Sequence, residues 1–340
     1  MIIRSKAPLR IGLAGGGTDV SPYSDIYGGA ILNATLSLYA YASIKPREDG
    51  KIILNAIDRN EIIELKSEEQ LPIDGNLDLA KGVYNRIVKD FIHQPLSFEI
   101  NTYVDAPPGS GLGSSSTLVV AIIGAFVEWL KLPLGEYDIA QLAYSIERED
   151  LQMAGGKQDQ YAATFGGVNY MEFYANDKVI VNPLRIKSKF LHELEHNLVL
   201  FYTQTSRLSS KIIQEQTENV HAKKSSSIDA MHHLKEQSVL MKEAILKGNI
   251  NDIGKILHDG WMHKKQMADG ISNASIDAIY ETALQNGATG GKISGAGGGG
   301  FMIFYAPYIH KYKLIKKLGE LGGTVMNYTL TNEGLTTWTV

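Results

Sequence analysis

The sequence predicts an α+β fold in two domains, on three observations. At 340 residues the chain is longer than one small core organises, since a domain takes roughly 100 to 200 residues. Its first half is rich in β-branched and aromatic runs cut by Gly, Pro and Asp clusters. After Pro183 to Lys189 the composition turns to helix formers poor in Gly and Pro, before a mixed ending. Domains are therefore expected at 1–186 and 187–340.

Taken in order, Ile2 to Leu13, Ala30 to Ile44, Ile52 to Asn55 and Ile62 to Leu65 read as strands. From Leu77 to Phe91 the apolar residues Ala80, Val83, Tyr84, Ile87 and Phe91 recur at helical spacing, and Leu96, Phe98 and Ile100 then alternate as in a half-buried strand. Gly113 to Leu130 is apolar nearly all round, the pattern of a helix buried on most of its surface. Ile139, Leu142, Ala143 and Ile146 mark a one-sided helix that ends near the acidic run Glu147 to Asp150, and a strand pair follows around Gly167 to Pro183. Leu208 to Met267 is expected to be helical, and Lys292 to Val340 mixed strand and helix.

Hydrophobic residues at 44% and charged residues at 21% are ordinary for a globular protein, so the chain should fold by itself. The formal charge of -4 gives no basic face for nucleic acid, so any anionic ligand needs a local device. The absence of cysteine excludes disulfides, thiolate catalysis and cysteine-held zinc. The amino terminus is broken by Arg4, Lys6, Pro8 and Arg10 and lacks a signal-peptide core. The longest apolar run, Leu118 to Val127, is about half of what a bilayer crossing needs. No membrane partner and a cytoplasmic location are expected.

The strongest chemical signal is PPGSGLGSSST, Pro107 to Thr117, between a strand and the apolar helix. Glycines allow close backbone approach, and the open N–H groups and dipole of a helix start favour phosphate. No segment fits the Walker pattern GxxxxGK[ST]. Gly295, Gly297 and Gly300 satisfy GxGxxG, but the run FMIFYA that follows is β-like where a dinucleotide fold needs a helix.

Together with APLRIGLAGGGTD (Ala7 to Asp19) and KISGAGGGGFM (Lys292 to Met302), this segment resembles, in order and spacing, the motifs of the GHMP kinases, the family named for galactokinase, homoserine kinase, mevalonate kinase and phosphomevalonate kinase. The resemblance implies a ribosomal-protein-S5-domain-2-like N-terminal domain and a ferredoxin-like C-terminal one. It implies ATP held at Pro108, Gly109, Ser110, Gly111, Leu112, Gly113, Ser114, Ser115 and Ser116, and an acceptor in the interdomain cleft, where Gly297 of the third segment supports it.

It also implies roles for single residues. Asp159 in GGKQDQYAATFGG matches the general base, and Arg10 the cation beside the base and the transferred phosphate. Because Arg does not titrate in this range, it would act by charge and hydrogen bonding. Ser115 and Glu147 resemble the Mg2+ ligands, although the nearby Glu149 leaves the register open. Asp19 resembles the carboxylate that grips acceptor hydroxyls in sugar-phosphorylating members, while Gly16 and Gly17 depart from the GEHTD of galactokinases. The forms LRIGLAGGGTD, GGKQDQYAA and FYTQTSRLSS resemble the heptose-phosphate branch, near fucokinase, in which the anomeric oxygen is phosphorylated. An acceptor that already carries a phosphate needs a second anion site, for which Lys157 and Arg207 are the candidates.

Two rival readings have definite signatures. HELEH, His192 to His196, fits the zincin pattern HExxH, but it ends a short helix that runs straight into the strand-like LVLFYT, with no third ligand placed by pattern. A non-catalytic sensor of sugar and ATP would keep the fold without needing Asp159 and Arg10.

Overall fold

The structure is a computed structural model that describes residues 1–205 and 209–340. Up to residue 183 its elements are β1 (Ile3–Ala14), α1 (Tyr23–Tyr27), β2 (Gly29–Pro46), β3 (Lys51–Ala56), β4 (Glu61–Lys66), α2 (Asp78–Ile87), β5 (Phe98–Val104), α3 (Ser114–Leu130), α4 (Glu136–Ser145), α5 (Gln158–Phe165), β6 (Val168–Phe173) and β7 (Val179–Pro183). Then come α6 (Ser188–Asn197), β8 (Leu198–Tyr202), α7 (Ser209–His221), α8 (Ser225–Lys247), α9 (Ile253–Lys264), α10 (Ala274–Gln285), β9 (Gly290–Ile293), β10 (Phe301–Tyr305), α11 (His310–Gly319), β11 (Thr324–Met326) and β12 (Thr336–Thr339).

The first sheet runs β12-β1-β2-β5-β3-β4, with β6 beside β2 and β7 beside β6. Its organiser is β2, long enough at 18 residues to pair with β6 through its first part (Gly29 to Ala34) and with β5 through its last (Ala40 to Pro46). β1 alternates at its start, with Ile3 in and Arg4 out, and is then buried without interruption from Ala7 to Ala14 because α3, α5 and α8 all pack on it. Such a strand reads as a continuous apolar run instead of an alternating one.

The second sheet, β11-β8-β10-β9, is antiparallel throughout. Successive side chains of its strands serve different cores. Leu198, Leu200, Phe301, Ile303 and Tyr305 face the core shared with the first sheet. Val199, Phe201, Met302 and Phe304 face the core that includes Trp261, Ile279, Tyr280 and Leu314 from α9, α10 and α11. Each fully buried aliphatic or Phe side chain contributes about 1.5–3 kcal/mol, so this double-sided sheet holds the two halves together tightly enough to fix a cleft between them.

Two features go beyond the sequence expectation. The helix over Leu77 to Phe91 is regular only to Ile87 and ends in a wider π turn, Val88–Ile92. The chain end crosses back, β12 pairing Thr336–Thr339 with residues Lys6–Ile3 of β1, while Leu335 packs on Gly124 of α3. The interval between β7 and β8 contains the proposed boundary at 186, and β12 returns to the first sheet from beyond it. Among the described residues no helix is long and apolar enough to cross a membrane.

Candidate active site

The three glycine segments meet back to back. Phe301 N donates to Ser110 O at 2.8 Å, and Ser294 Oγ to Gly111 O at 2.8 Å. A Cβ on Gly295 would stand 2.8 Å from Gly111 Cα, and both residues have positive φ, so this contact admits glycine alone. From the first segment, Arg10 N donates to Leu112 O at 3.1 Å and Arg10 Nη1 to Gly111 O at 2.6 Å. Above this junction opens a cleft of about 510 Å³.

One wall of the cleft is the start of α3. Gly113 precedes the helix with φ 78° and no side chain caps it, so the serines are not spent on capping and the first-turn N–H groups have no side-chain acceptor at the cap. Gly109, Gly111, Gly113, Ser114, Ser115 and Ser116 line it. The expected ATP residues Pro108, Ser110 and Leu112 do not: Pro108 is exposed, Ser110 is buried against Phe301, and Leu112 turns into the core.

Asp159 is the second residue of α5, where it lies across from Gly113 and accepts a hydrogen bond from Arg10 Nε at 2.7 Å. Its helix is aimed by Asp19, whose Oδ2 accepts from the Lys157 and Gln158 N–H groups at 2.9 and 3.0 Å. Burial raises the Asp19 carboxyl from its ordinary value, partly countered by the Gln158 N–H. The other expected role of Asp19 stays open to its free oxygen, since the residue lines the cleft.

Glu147 sits in the π turn Ile146–Asp150 after α4 and is buried; it accepts from Ser116 Oγ at 3.0 Å and from Gln160 Nε2. Burial pushes its carboxyl up from the usual range. Glu149 points outward, 58% exposed and 3.8 Å from Arg86, so of the two it is Glu147 that reaches the cleft. Ser115 lines the cleft one residue before the serine that bonds Glu147.

Lys157 requires a correction. Its ammonium ends between Asp177 at 2.9 Å and Asp25 at 3.5 Å, over the Tyr144 ring, and the residue does not line the cleft. Gly297 also departs from its expected contact. It packs against the Ile271 backbone, where a Cβ would come within 2.9 Å, and its neighbours Gly295 and Ala296 line the cleft. Arg207 lies outside the described residues. His192 and His196 are exposed on α6, away from the cleft, and Glu193 accepts from Asn197 at 2.7 Å.

Several cleft residues have no sequence signature. α7 supplies Ile213, Gln214 and Gln216 beside Ser210, the last residue of FYTQTSRLSS, and α9 supplies Lys264. A second hollow of about 320 Å³ opens beside the α3 turn, shares Ser115 and Met153 with the cleft, and is walled by Leu54, Ala56, Leu77, Ile100, Leu118 and Leu151. The arrangement supplies an anion cradle, an apolar slot next to it, and a carboxylate held by a guanidinium across the cleft from the cradle. Those are the parts phosphoryl transfer from a nucleotide requires.

Comparison with known proteins agrees with that class. Residues 78–167 match the model for the GHMP kinases N terminal domain, and residues 241–322 match that for GHMP kinases C terminal. The chain is 51% identical to a D-glycero-alpha-D-manno-heptose 7-phosphate kinase of Campylobacter jejuni over 99% of both chains. A solved structure of a D-glycero-D-manno-heptose 1-phosphate kinase from Bacteroides thetaiotaomicron superposes with TM-score 0.86 at 47% identity, covering 99% of each chain. A putative sugar kinase from Campylobacter jejuni superposes with TM-score 0.83 at 51% identity, covering 99% of this chain and 98% of that one. The chain belongs to the GHMP kinase family and is an ATP-dependent phosphotransferase.

Proposed function

We propose that this kinase transfers the γ-phosphoryl group of ATP to the anomeric O1 of D-glycero-D-manno-heptose 7-phosphate, giving the 1,7-bisphosphate used for nucleotide-activated heptose and surface glycans. The observation that carries the reading is Asp159, held by Arg10 at 2.7 Å across from the uncapped first turn of α3. The near full-length identity with a heptose 7-phosphate kinase supports the acceptor. A cytoplasmic location, where ATP is supplied, is part of this proposal.

In this reading the apolar hollow takes adenine and the α3 turn takes the phosphates through its N–H groups. Asp159 accepts the proton of the anomeric hydroxyl, which the ring oxygen makes more acidic than other sugar hydroxyls. Arg10 keeps Asp159 in place and adds positive charge where negative charge collects. The oxygen donors Ser115, Ser116 and Glu147 beside the cradle form a hard set that fits Mg2+, and would hold it against the ATP phosphates. A bound Mg2+ supplies charge neutralisation on those phosphates. A non-catalytic sensor has no use for the Asp159–Arg10 pair. Arg207 is the proposed partner of the 7-phosphate.

The test is a screen of ATP consumption against heptose, fucose, galactose and mannose, each with and without a terminal phosphate. Charge-assisted hydrogen bonds are worth about 1.5–3 kcal/mol each, so two to the 7-phosphate predict a loss of about 100-fold or more in kcat/KM without it. Arg207→Ala should erase most of that preference. Equal turnover of the unphosphorylated sugar contradicts the reading.

A further inference from the structure

Two buried lysines close the floor of the cleft from the second half of the chain. Lys264, the last residue of α9, donates to Gly295 O at 2.5 Å, and Lys292 in β9 donates to Gly12 O at 2.7 Å. Both ammonium nitrogens lie within 4 Å of the point where a Cβ on Gly16 would stand, at 3.6 and 3.8 Å. Among the described residues neither forms an ion pair. An ammonium has three donors, so the one protein acceptor recorded for Lys264 leaves two N–H groups for something else.

A buried cation without a counter-charge is unfavourable, and an apolar side chain of the same length would serve the fold better. The position is therefore explained by a ligand that brings the missing charge. Of the two lysines, Lys264 lines the cleft, whereas Lys292 stands behind it against β1. Short contacts place Lys264 relative to the chemistry. Its acceptor Gly295 packs on Gly111, the Gly111 carbonyl receives Arg10 Nη1 at 2.6 Å, and Arg10 Nε holds Asp159 at 2.7 Å. The charged groups facing it are Arg10 of β1, Asp19 of the loop after β1, and Lys292 of β9. Only Asp19 is negative, and its Oδ2 is already committed to two backbone N–H groups.

We infer that Lys264 is a catalytic residue, whose ammonium donates to a non-bridging oxygen of the phosphoryl group as that group passes from ATP to the acceptor. The inference rests on the kinase reading and adds a cation from the second half of the chain to the one supplied by Arg10. In the step, the acceptor hydroxyl gives its proton to Asp159 and its oxygen forms the new bond to phosphorus. The bond from phosphorus to the β–γ bridging oxygen breaks, and ADP leaves with that electron pair. Lys264 keeps its protons throughout and needs them.

The test compares unaltered protein with Lys264→Met and Lys264→Arg, using heptose 7-phosphate and ATP. Removing one pre-aimed donor costs about 10²–10³ in rate, so Lys264→Met should lose that much kcat while its calorimetric affinity for ATP alone changes less than about threefold. Its thermal midpoint should stay or rise, because a buried charge is gone. Lys264→Arg should recover part of the rate. In the unaltered protein kcat/KM should fall as pH rises through about 8, where Lys264 loses its proton, and that limb should be missing in Lys264→Arg. A Lys264→Met enzyme as fast as the unaltered one overturns the inference, as does a loss of activity matched by a loss of thermal stability, which would make Lys264 a brace. An unaltered protein that turns over no sugar phosphate overturns the kinase reading itself.

Discussion

Lys157 and Lys264 are both buried lysines, the first lying two residues before Asp159 with its ammonium turned out of the cleft, the second lining the cleft from the other half of the chain. Lys157 ends between two carboxylates, Asp177 and Asp25, and stacks over Tyr144. Lys264 meets one backbone carbonyl and two like charges, and burial, helped by Arg10, pulls it down to about 8. The same contrast runs through the walls. On the first wall Asp159, Glu147 and Asp19 all have protein partners that fix them before any ligand arrives. On the second wall the cations are left uncompensated. The first wall is thus fixed by its own hydrogen bonds, and the second keeps cations short of counter-charge.

The sharpest way to break this division is on the first wall. Asp159→Asn should lower kcat by about two to four powers of ten, the range for losing a general base, with ATP affinity nearly unchanged. An unaltered kcat removes Asp159 from the chemistry.

The second wall makes a claim about stability. Lys264 should be charged in the unfolded chain up to about 10.5 and in the folded protein only up to about 8. Between those values the unfolded state binds more protons, so stability rises with pH, and the penalty of the buried charge is fully present below 8. At 1.36 kcal/mol per pKa unit, Lys264→Met should be more stable at neutral pH by at most about 3 kcal/mol, and the gain should shrink towards pH 10.5. Denaturant titrations of both proteins across that range measure it; a gain that does not change with pH would show that Lys264 is not the group concerned.

Next in size, Glu147→Gln should raise the Mg2+ concentration needed for half-maximal activity by about 10- to 100-fold, the scale for disturbing a metal site, with acceptor KM little moved. Glu149→Gln should do neither, because that side chain is outside with Arg86. A reversed result would place the metal contact on the other glutamate.

The smallest effect concerns Lys157. Its partner Asp177 is 43% exposed, and solvent screening limits the pair, so Lys157→Met should cost about 1 kcal/mol in stability. The preference for an acceptor phosphate should be unchanged. If that preference disappears, Lys157 does reach the acceptor and the contrast between the two lysines fails.

The first wall was legible in the sequence because its constraints are local. Gly111 and Gly113 must be glycine to take positive φ against Ser294 and Asp159, and they occur together with the helix they introduce. Asp159 could be found by its motif, but its neighbour Lys157 could not be placed by proximity. At the start of α5 the Lys157 N–H faces Asp19 while the side chain leaves towards Asp177. The choice between Glu147 and Glu149 depends on a π turn, in which Leu151 N donates to Ile146 O and helical spacing no longer tells which side chain faces in. Lys264 closes a helix in the run His263, Lys264, Lys265, a pattern that ordinarily means solvated charges at the negative end of a helix dipole. Only tertiary packing turns its side chain inward. The apolar hollow is built from Leu54, Ile100 and Leu118, which in sequence are indistinguishable from core, and β12 pairs with residues at the opposite end of the chain.

On this reading the cleft moves a phosphoryl group from ATP to the anomeric oxygen of a sugar that already bears a phosphate. Phosphorus NMR of the protein incubated with ATP, Mg2+ and D-glycero-D-manno-heptose 7-phosphate tests it directly. ADP is expected together with a sugar carrying two phosphates, the new one coupled to the anomeric proton. A new phosphate on any carbon other than C1 would contradict it.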